Sequence, residues 1–383
     1  MAAAALTALS LLAIPLASCS AQTTSAKSGK PLESAARGSF AITEMGTFDE
    51  PWALAFEPGT GNLFVTEKAG RIKFVQANGR LGTVTGAPKV DYGGQGGLGD
   101  IAFAPDYVIS RMIYLSWVEA GDADTRGAVV GRARLICAEH DSCALENLQT
   151  IWRQDPKVTG RGHFSHRLAF SPDGSYLFVA SGERQKFTPA QDIAVNLGKV
   201  LRLNLDGTPA DGNPMEAKGG VSAQIWTLGH RNILGLEFDP AGRLWDLEHG
   251  PAGGDELNLV RAGANYGWPI VSQGDHYDGK PIPRHPTRPE FAAPAISWNP
   301  VIAPGGFIFH SGKAFPAWRG QALIAGMVSE GLVRVAIDGE TAREVERIPL
   351  GKRIRAIAEG PDGAVWIAED GKGARLRKLT PKS

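Results

Sequence analysis

The chain has 383 residues, with 40 Lys+Arg balanced by 40 Asp+Glu. A surface of no net charge has no long-range pull on nucleic acid or anionic membrane, and nucleic acid is set aside as a partner. The 48 glycines and 25 prolines, with no sustained apolar stripe at helical period, exclude a helical bundle and point to an all-β protein of short strands and many turns.

Met1–Ser18, MAAAALTALSLLAIPLAS, carries no charged side chain and ends in small residues, as a secretory signal does, although the usual positive n-region is missing. Leu16-Ala17-Ser18-Cys19 resembles a bacterial lipobox, in which the Cys19 thiol is acylated and becomes the mature N-terminus. An ordinary cleaved signal is the alternative. Residues 1–19 are therefore read as leader, 20–39 as a flexible tether, and 40–383 as one folded domain, periplasmic or anchored by lipid at Cys19 to a membrane facing the periplasm. No other segment approaches the length of a membrane span.

From residue 54 onward one hairpin plan recurs. It is seen in LAFEPGTGNLFVTEK (54–68), IAFAPDYVISRMIYLSWV (101–118), LAFSPDGSYLFVASGE (168–183), LEFDPAGRLWDLEHG (236–250), FIFHSGKAFPAWRGQALIAGM (307–327) and IAEGPDGAVWIAED (357–370). Each copy is an alternating apolar strand, a turn bearing Pro or Gly, and a second apolar strand. Strand-only repeats at such intervals predict blades of four antiparallel strands, hence a six-bladed β-propeller. Between the second and third copies, Cys137 and Cys143 bracket five residues between strand-like runs. In an oxidising compartment they read as a disulfide clamping a hairpin tip.

Polar clusters sit at equivalent places, just before the first strand of a copy. These are Gln95-Gly96-Gly97-Leu98, Gly162-His163-Phe164-Ser165-His166-Arg167, His230-Arg231-Asn232, Ser297-Trp298-Asn299-Pro300 and Arg353-Ile354-Arg355. In a propeller such positions share one face around the axis, so Gln95, His163, Arg231, Asn232, Arg353 and Arg355 would surround one pocket. Three guanidiniums without matching carboxylates call for an anionic ligand, which a polycarboxylate cofactor or a sugar phosphate would satisfy.

GQGGLGDIAFAPDY, HFSHRLAFSPDG, LGHRNILGLEFDP, EHGPAGGDELNLV, GANYGWP and RIRAIAEGPDG, in this order, resemble the glucose/sorbosone dehydrogenase family from about residue 40 to 380. Within it they are most similar to the soluble aldose sugar dehydrogenases that use pyrroloquinoline quinone (PQQ). The resemblance implies a six-bladed propeller that oxidises an aldose at C1 to the lactone and passes electrons to an external acceptor. It implies that His163 is the general base, a task suited to imidazole near pH 7. Arg231 would stabilise charge on the quinone oxygen, with Asn232 beside it. Gln95, Arg353 and Arg355 would hold the cofactor, and the carbonyls of Gly250 and Pro251 would hold Ca2+.

His166 competes with His163 for the role of base. Trp298 would either cover the quinone or pack in the core, Asn265–Pro269 would be a packed aromatic turn, and Arg167 and Asp255-Glu256 would form blade-stabilising ion pairs. One departure stands out: where several family members carry a fifth-blade Lys that pairs with the cofactor, this chain has Val328, which weakens cofactor binding or shifts its pose unless another residue compensates. Gln191-Asp192 offers polar contacts, and Ser272–Asp275 offers oxygens for a second calcium without a clear acidic partner near 291–293. The alternatives are a calcium-dependent lactonase, disfavoured because the clusters lack carboxylates, and a non-catalytic propeller that binds glycan or protein.

Overall fold

The computed structural model describes Met1 and residues 40–382. The leader beyond Met1, including Cys19, and the whole of the tether lie outside the described residues. Each recurring hairpin forms the two inner strands of a blade. Blade 1 runs Pro51–Phe56, Leu63–Glu67, Arg71–Val75 and Leu81–Thr85, and blade 2 runs Leu98–Phe103, Met112–Ala120, Arg126–Glu139 and Ser142–Arg153. Blade 3 is Ser165–Phe170, Tyr176–Ser181, Lys199–Asn204 and Ile225–Leu228, and blade 4 is Ile233–Phe238, Leu244–Glu248, Asp255–Leu259 and Ile296–Trp298. Blade 5 is Pro304–Phe309, Ala322–Gly326, Gly331–Asp338 and Thr341–Pro349. The chain is a six-bladed β-propeller.

Two long-range pairings complete the ring. Blade 6 takes Ile354–Glu359, Val365–Glu369 and Ala374–Pro381 from the C-terminus, and its outer strand is Phe40–Phe48, antiparallel to Ala374–Pro381. The first strand of the domain thus supplies the fourth strand of the last blade. Blades 1 and 2 are fused because Thr83–Thr85 pairs in parallel with Ser142–Ala144. The tip that makes this contact is closed by the Cys137–Cys143 disulfide, whose Cα atoms are 4.0 Å apart across the hairpin.

The apolar faces of neighbouring blades pack on one another. Trp52, Phe64, Leu115 and Trp117 bury the interface of blades 1 and 2, and Trp245, Leu247, Phe307 and Ile324 that of blades 4 and 5. Innermost strands from all six blades line an axial cavity of about 350 Å³. Arg167 crosses it, pairing with Asp100 at 3.2 Å and donating to the carbonyls of Leu234 (2.7 Å) and Gly305 (2.7 Å). Its guanidinium lies 3.9 Å from the Trp52 ring centroid, a cation–π contact strengthened by burial. This is the ion pair expected for Arg167.

Candidate active site

The segment from His163 to Arg167 enters blade 3 through a contorted turn, with His163, Ser165 and His166 at φ of 49°, 59° and 54°. Left-handed backbone at non-glycine residues costs of order 1–3 kcal/mol each and persists only where surroundings over-determine it. Arg184 supplies much of that constraint. Its guanidinium donates to the carbonyls of Gly162 (2.9 Å) and Arg126 (2.6 Å) and lies 3.7 Å from the Phe164 ring centroid. Gly182 is required where the chain returns, since a Cβ there would meet the His163 carbonyl oxygen at 2.0 Å.

So held, the two histidines differ in kind. His163 Nδ1 is hydrogen-bonded to Glu183 Oε1. Burial works against ionisation of Glu183, but the bond from His163 and the backbone N–H of Phe187 hold its pKa below the usual carboxylate value. An ionised carboxylate only accepts, so Nδ1 carries the hydrogen and Nε2 presents a lone pair. Burial lowers the His163 pKa, Glu183 opposes that, and Arg231 adds to it. His166 is stacked on Trp52 with centroids 4.9 Å apart, contacts Ser116 Oγ at 2.8 Å, and is pushed by burial to about 3. It is a neutral, packed group that also lines the smaller of two adjoining cavities.

Arg231 leads into blade 4. Its backbone N–H donates to Glu248 Oε2 at 2.6 Å, and its guanidinium donates to the His249 carbonyl (3.0 Å) and the Tyr277 hydroxyl (3.3 Å). Its Nε is buried with no partner, and no carboxylate pairs with the side chain among the described residues. Behind it lies a buried set of His230, Asp246 and Glu248, with ligand atoms within 4.8 Å of one another. Desolvation and the adjacent Glu248 push the Asp246 pKa up, and the set braces the turn, His230 Nε2 meeting Thr227 Oγ1 at 2.9 Å.

Two adjoining cavities result. One, about 380 Å³, is lined by His163, Glu183, Arg231 and Pro251, with Phe187, Trp268 and Tyr277 as aromatic walls. The other, about 250 Å³, is lined by Gln95, Asn232, Arg353 and Arg355 together with Lys68 and Trp52, and no carboxylate side chain lines it. The Gln95 side-chain oxygen accepts the His163 backbone N–H at 2.7 Å, and consecutive Arg231 and Asn232 face one cavity each. His249 lies at the join: it lines the smaller cavity and feels the charges of Arg231 and Arg355. Arg353 and Arg355 both donate to Asp370 at 2.9 Å. The expectation of guanidiniums without a carboxylate is thus corrected, because one acid anchors this pair.

Gly250 and Pro251 begin a tight turn following the strand Leu244–Glu248. Asp255 Oδ1 accepts the Gly250 N–H at 3.0 Å, and Oδ2 accepts those of Ile302 (2.8 Å) and Ala303 (2.7 Å). Asp255 therefore makes no ion pair among the described residues, contrary to expectation; it pins this turn to blade 5. Glu256 likewise pairs with no cation among the described residues, and burial beside Glu248 raises its pKa. A Cβ on Gly250 would meet the carbonyl oxygens of Gly253 and Gly254 at 2.2 and 2.3 Å. Neither the Gly250 nor the Pro251 carbonyl accepts a hydrogen bond among the described residues, so both are available to a hard cation.

Other expectations resolve by burial. Trp298 packs in the core of blades 4 and 5, with its indole N–H on Glu344 at 2.7 Å. Trp268 belongs to the packed turn but also presents a face to the larger cavity, stacked with Phe187 at 5.6 Å. Gln191 is spent on Asn265 and Trp268, and Asp275 on Arg284 and Ile282. Glu183, Asp370 and Lys68 escaped sequence reasoning; Lys68 and Asp370 stood at equivalent places, each directly after the glutamate that ends its hairpin (Glu67 and Glu369), whereas Glu183 lies two residues past the matching position, Ser181.

A family model described as Glucose / Sorbosone dehydrogenase matches residues 48–378. Aldose sugar dehydrogenase YliI of Escherichia coli (strain K12) is 36% identical over 343 residues, covering 88% of this chain and 91% of the relative. The crystal structure of the soluble aldose sugar dehydrogenase from Escherichia coli in the apo-form superposes with TM-score 0.83 at 34% identity, covering 90% of this chain and 100% of that one. The PQQ-bound aldose sugar dehydrogenase from Streptomyces coelicolor superposes with TM-score 0.70 at 28% identity, covering 90% and 98%.

Proposed function

The chain belongs to the glucose/sorbosone dehydrogenase family, and from that premise we propose that it oxidises aldose sugars at C1 to the lactone with PQQ and Ca2+. One observation carries the reading: His163, oriented by Glu183, shares a cavity with the unpaired Arg231, next to a cationic cavity lined by no carboxylate side chain.

The residues fit both groups. A planar polycarboxylate suits the smaller cavity, with Arg353, Arg355, Gln95 and Asn232 as its polar partners and Trp52 as an apolar wall. The free Gly250 and Pro251 carbonyls suit Ca2+, which takes oxygen ligands. When bound, PQQ supplies a two-electron acceptor for hydride, and Ca2+ polarises its quinone oxygens.

The chain's own work is positioning and proton transfer. An aldose in the larger cavity would lay the apolar face of its ring on Phe187, Trp268 or Tyr277. His163 Nε2 takes the proton of the anomeric hydroxyl, and Glu183 stabilises the imidazolium so formed. Arg231 offers fixed N–H groups to charge that develops on the oxygen opposite, at no reorganisation cost. Electrons leave to an external acceptor. The apolar leader and the Leu16-Ala17-Ser18-Cys19 motif support a chain that is periplasmic or anchored by lipid at Cys19 to a membrane facing the periplasm.

Reconstitution of the apo-protein with PQQ and Ca2+, followed by dye reduction over a panel of aldoses, tests the proposal. Lactone formation dependent on both additions is expected, with loss in His163→Ala. Quinone binding without turnover of any aldose would overturn it in favour of a non-catalytic binding propeller.

A further inference from the structure

The smaller cavity contains a cation that neither the repeat pattern nor the family's motifs assign. Lys68 follows the second strand of blade 1, Leu63–Glu67, and lines this cavity beside Arg353 and Arg355. Its Nζ donates to the Gly94 carbonyl at 2.9 Å and reaches Glu50 at the loose distance of 3.4 Å. An ammonium has three N–H donors, so one remains for a ligand. Arg353 and Arg355 share the single carboxylate of Asp370, leaving them about one net charge between them. Blade 5 adds none: Met327 lines the cavity, its sulfur 3.4 Å from Arg353 Nη2, and the next residue, Val328, is 52% exposed.

We infer that Lys68 binds a carboxylate of the quinone and takes over the charge that Val328 does not provide. The inference rests on the PQQ reading above. PQQ carries three carboxylates, and this cavity offers three cationic side chains from two blades: Lys68, Arg353 and Arg355. Lys68 is not needed as a mere strut. Its backbone already fixes the neighbouring turn, because the Leu98 N–H donates to the Lys68 carbonyl at 2.9 Å. Gly97 packs so close that a Cβ on it would meet that oxygen at 2.1 Å. The side chain is thereby held at the cavity, ion-paired with Glu50 at 3.4 Å, with one ammonium N–H left to donate to an anion.

The test is PQQ binding to apo-protein with Ca2+ present, by titration calorimetry and without sugar or dye. A charge-assisted hydrogen bond is worth about 1.5–3 kcal/mol, so K68M is expected to raise the PQQ Kd about 10- to 100-fold. K68R should stay within about threefold of the unaltered protein, and the apo-protein melting temperature of each variant should match it. K68Q serves as a second neutral variant should K68M fold poorly. Equal PQQ affinity in unaltered and neutral variants overturns the role of Lys68 alone. Absence of PQQ binding by the unaltered protein overturns the quinone reading and this inference with it.

Discussion

Glu183 and His163 form a buried pair in which the carboxylate accepts the Nδ1 hydrogen of the imidazole. The same carboxylate accepts the N–H groups of Lys186 and Phe187, each at 2.6 Å, so the orienting acid is tied to the chain that carries an aromatic wall of the larger cavity. Glu183→Gln replaces an acceptor by an amide and removes what raises the imidazole pKa. Turnover should fall about 10²- to 10⁴-fold. Burial already lowers the His163 pKa, so the variant's acid limb in kcat/KM against pH should move to still lower pH. An unmoved limb would show that His163 is not the group titrating.

His166 predicts a stability effect instead. Its folded-state pKa of about 3 lies below the ordinary 6.5, so between these values the unfolded chain binds the additional proton. Stability from this group is complete above pH 6.5 and is lost as pH falls toward 3. Urea unfolding across that window should give a steeper acid loss for the native protein than for His166→Gln. Parallel curves would contradict the assignment of His166 as a buried neutral group.

Asp255 holds the Gly250 turn by accepting three backbone N–H groups. Asp255→Asn presents an NH2 where donors converge. The Ca2+ concentration giving half-maximal reconstitution should rise about tenfold or more. Unchanged calcium demand would disconnect this turn from the metal.

Tyr277 is 78% exposed, lines the larger cavity, and meets Arg231 through its hydroxyl at 3.3 Å and its ring, whose centroid lies 6.0 Å from the guanidinium. Tyr277→Ala should raise KM for the sugar severalfold with a smaller change in kcat, because wall contacts bind ground and transition states alike. A collapse of kcat with unchanged KM would instead make the hydroxyl part of the chemistry.

The disulfide lies away from both cavities, lining a separate groove. Cys137→Ser with Cys143→Ser should cost about 2 kcal/mol in denaturant unfolding and leave steady-state rates intact.

How much of this was legible beforehand follows from the range of each interaction. The hairpin turns are local chemistry: Asp239-Pro240-Ala241-Gly242 carries its own turn signal, with Gly242 at φ 78° and the Asp239 side chain accepting the Ala241 and Arg243 N–H groups. Repetition of that local unit was enough for the blade count and for placing His163, Arg231 and Arg353 at equivalent strand entrances. The family motifs then pointed to Gly250 and Pro251, whose carbonyls the fold leaves without hydrogen-bond donors among the described residues. Asp255 could not be read correctly, because a carboxylate beside a glycine turn looks the same whether it meets a guanidinium or three peptide groups.

The sequence by itself determined the repeating unit, the fold class and the residue types gathered on one face, since these depend on periodicity and on turns that close within a few residues. Only the tertiary structure decided which partners meet. Phe40–Phe48 seals blade 6 from the opposite end of the chain, Asp370 draws two arginines together, Glu183 bonds His163 while His166 stacks on Trp52, and Lys68 reaches a cavity whose other cations lie almost three hundred residues later. Each of these joins groups distant along the chain, and such contacts are set by ring closure and burial, which leave no periodic trace in the order of residues.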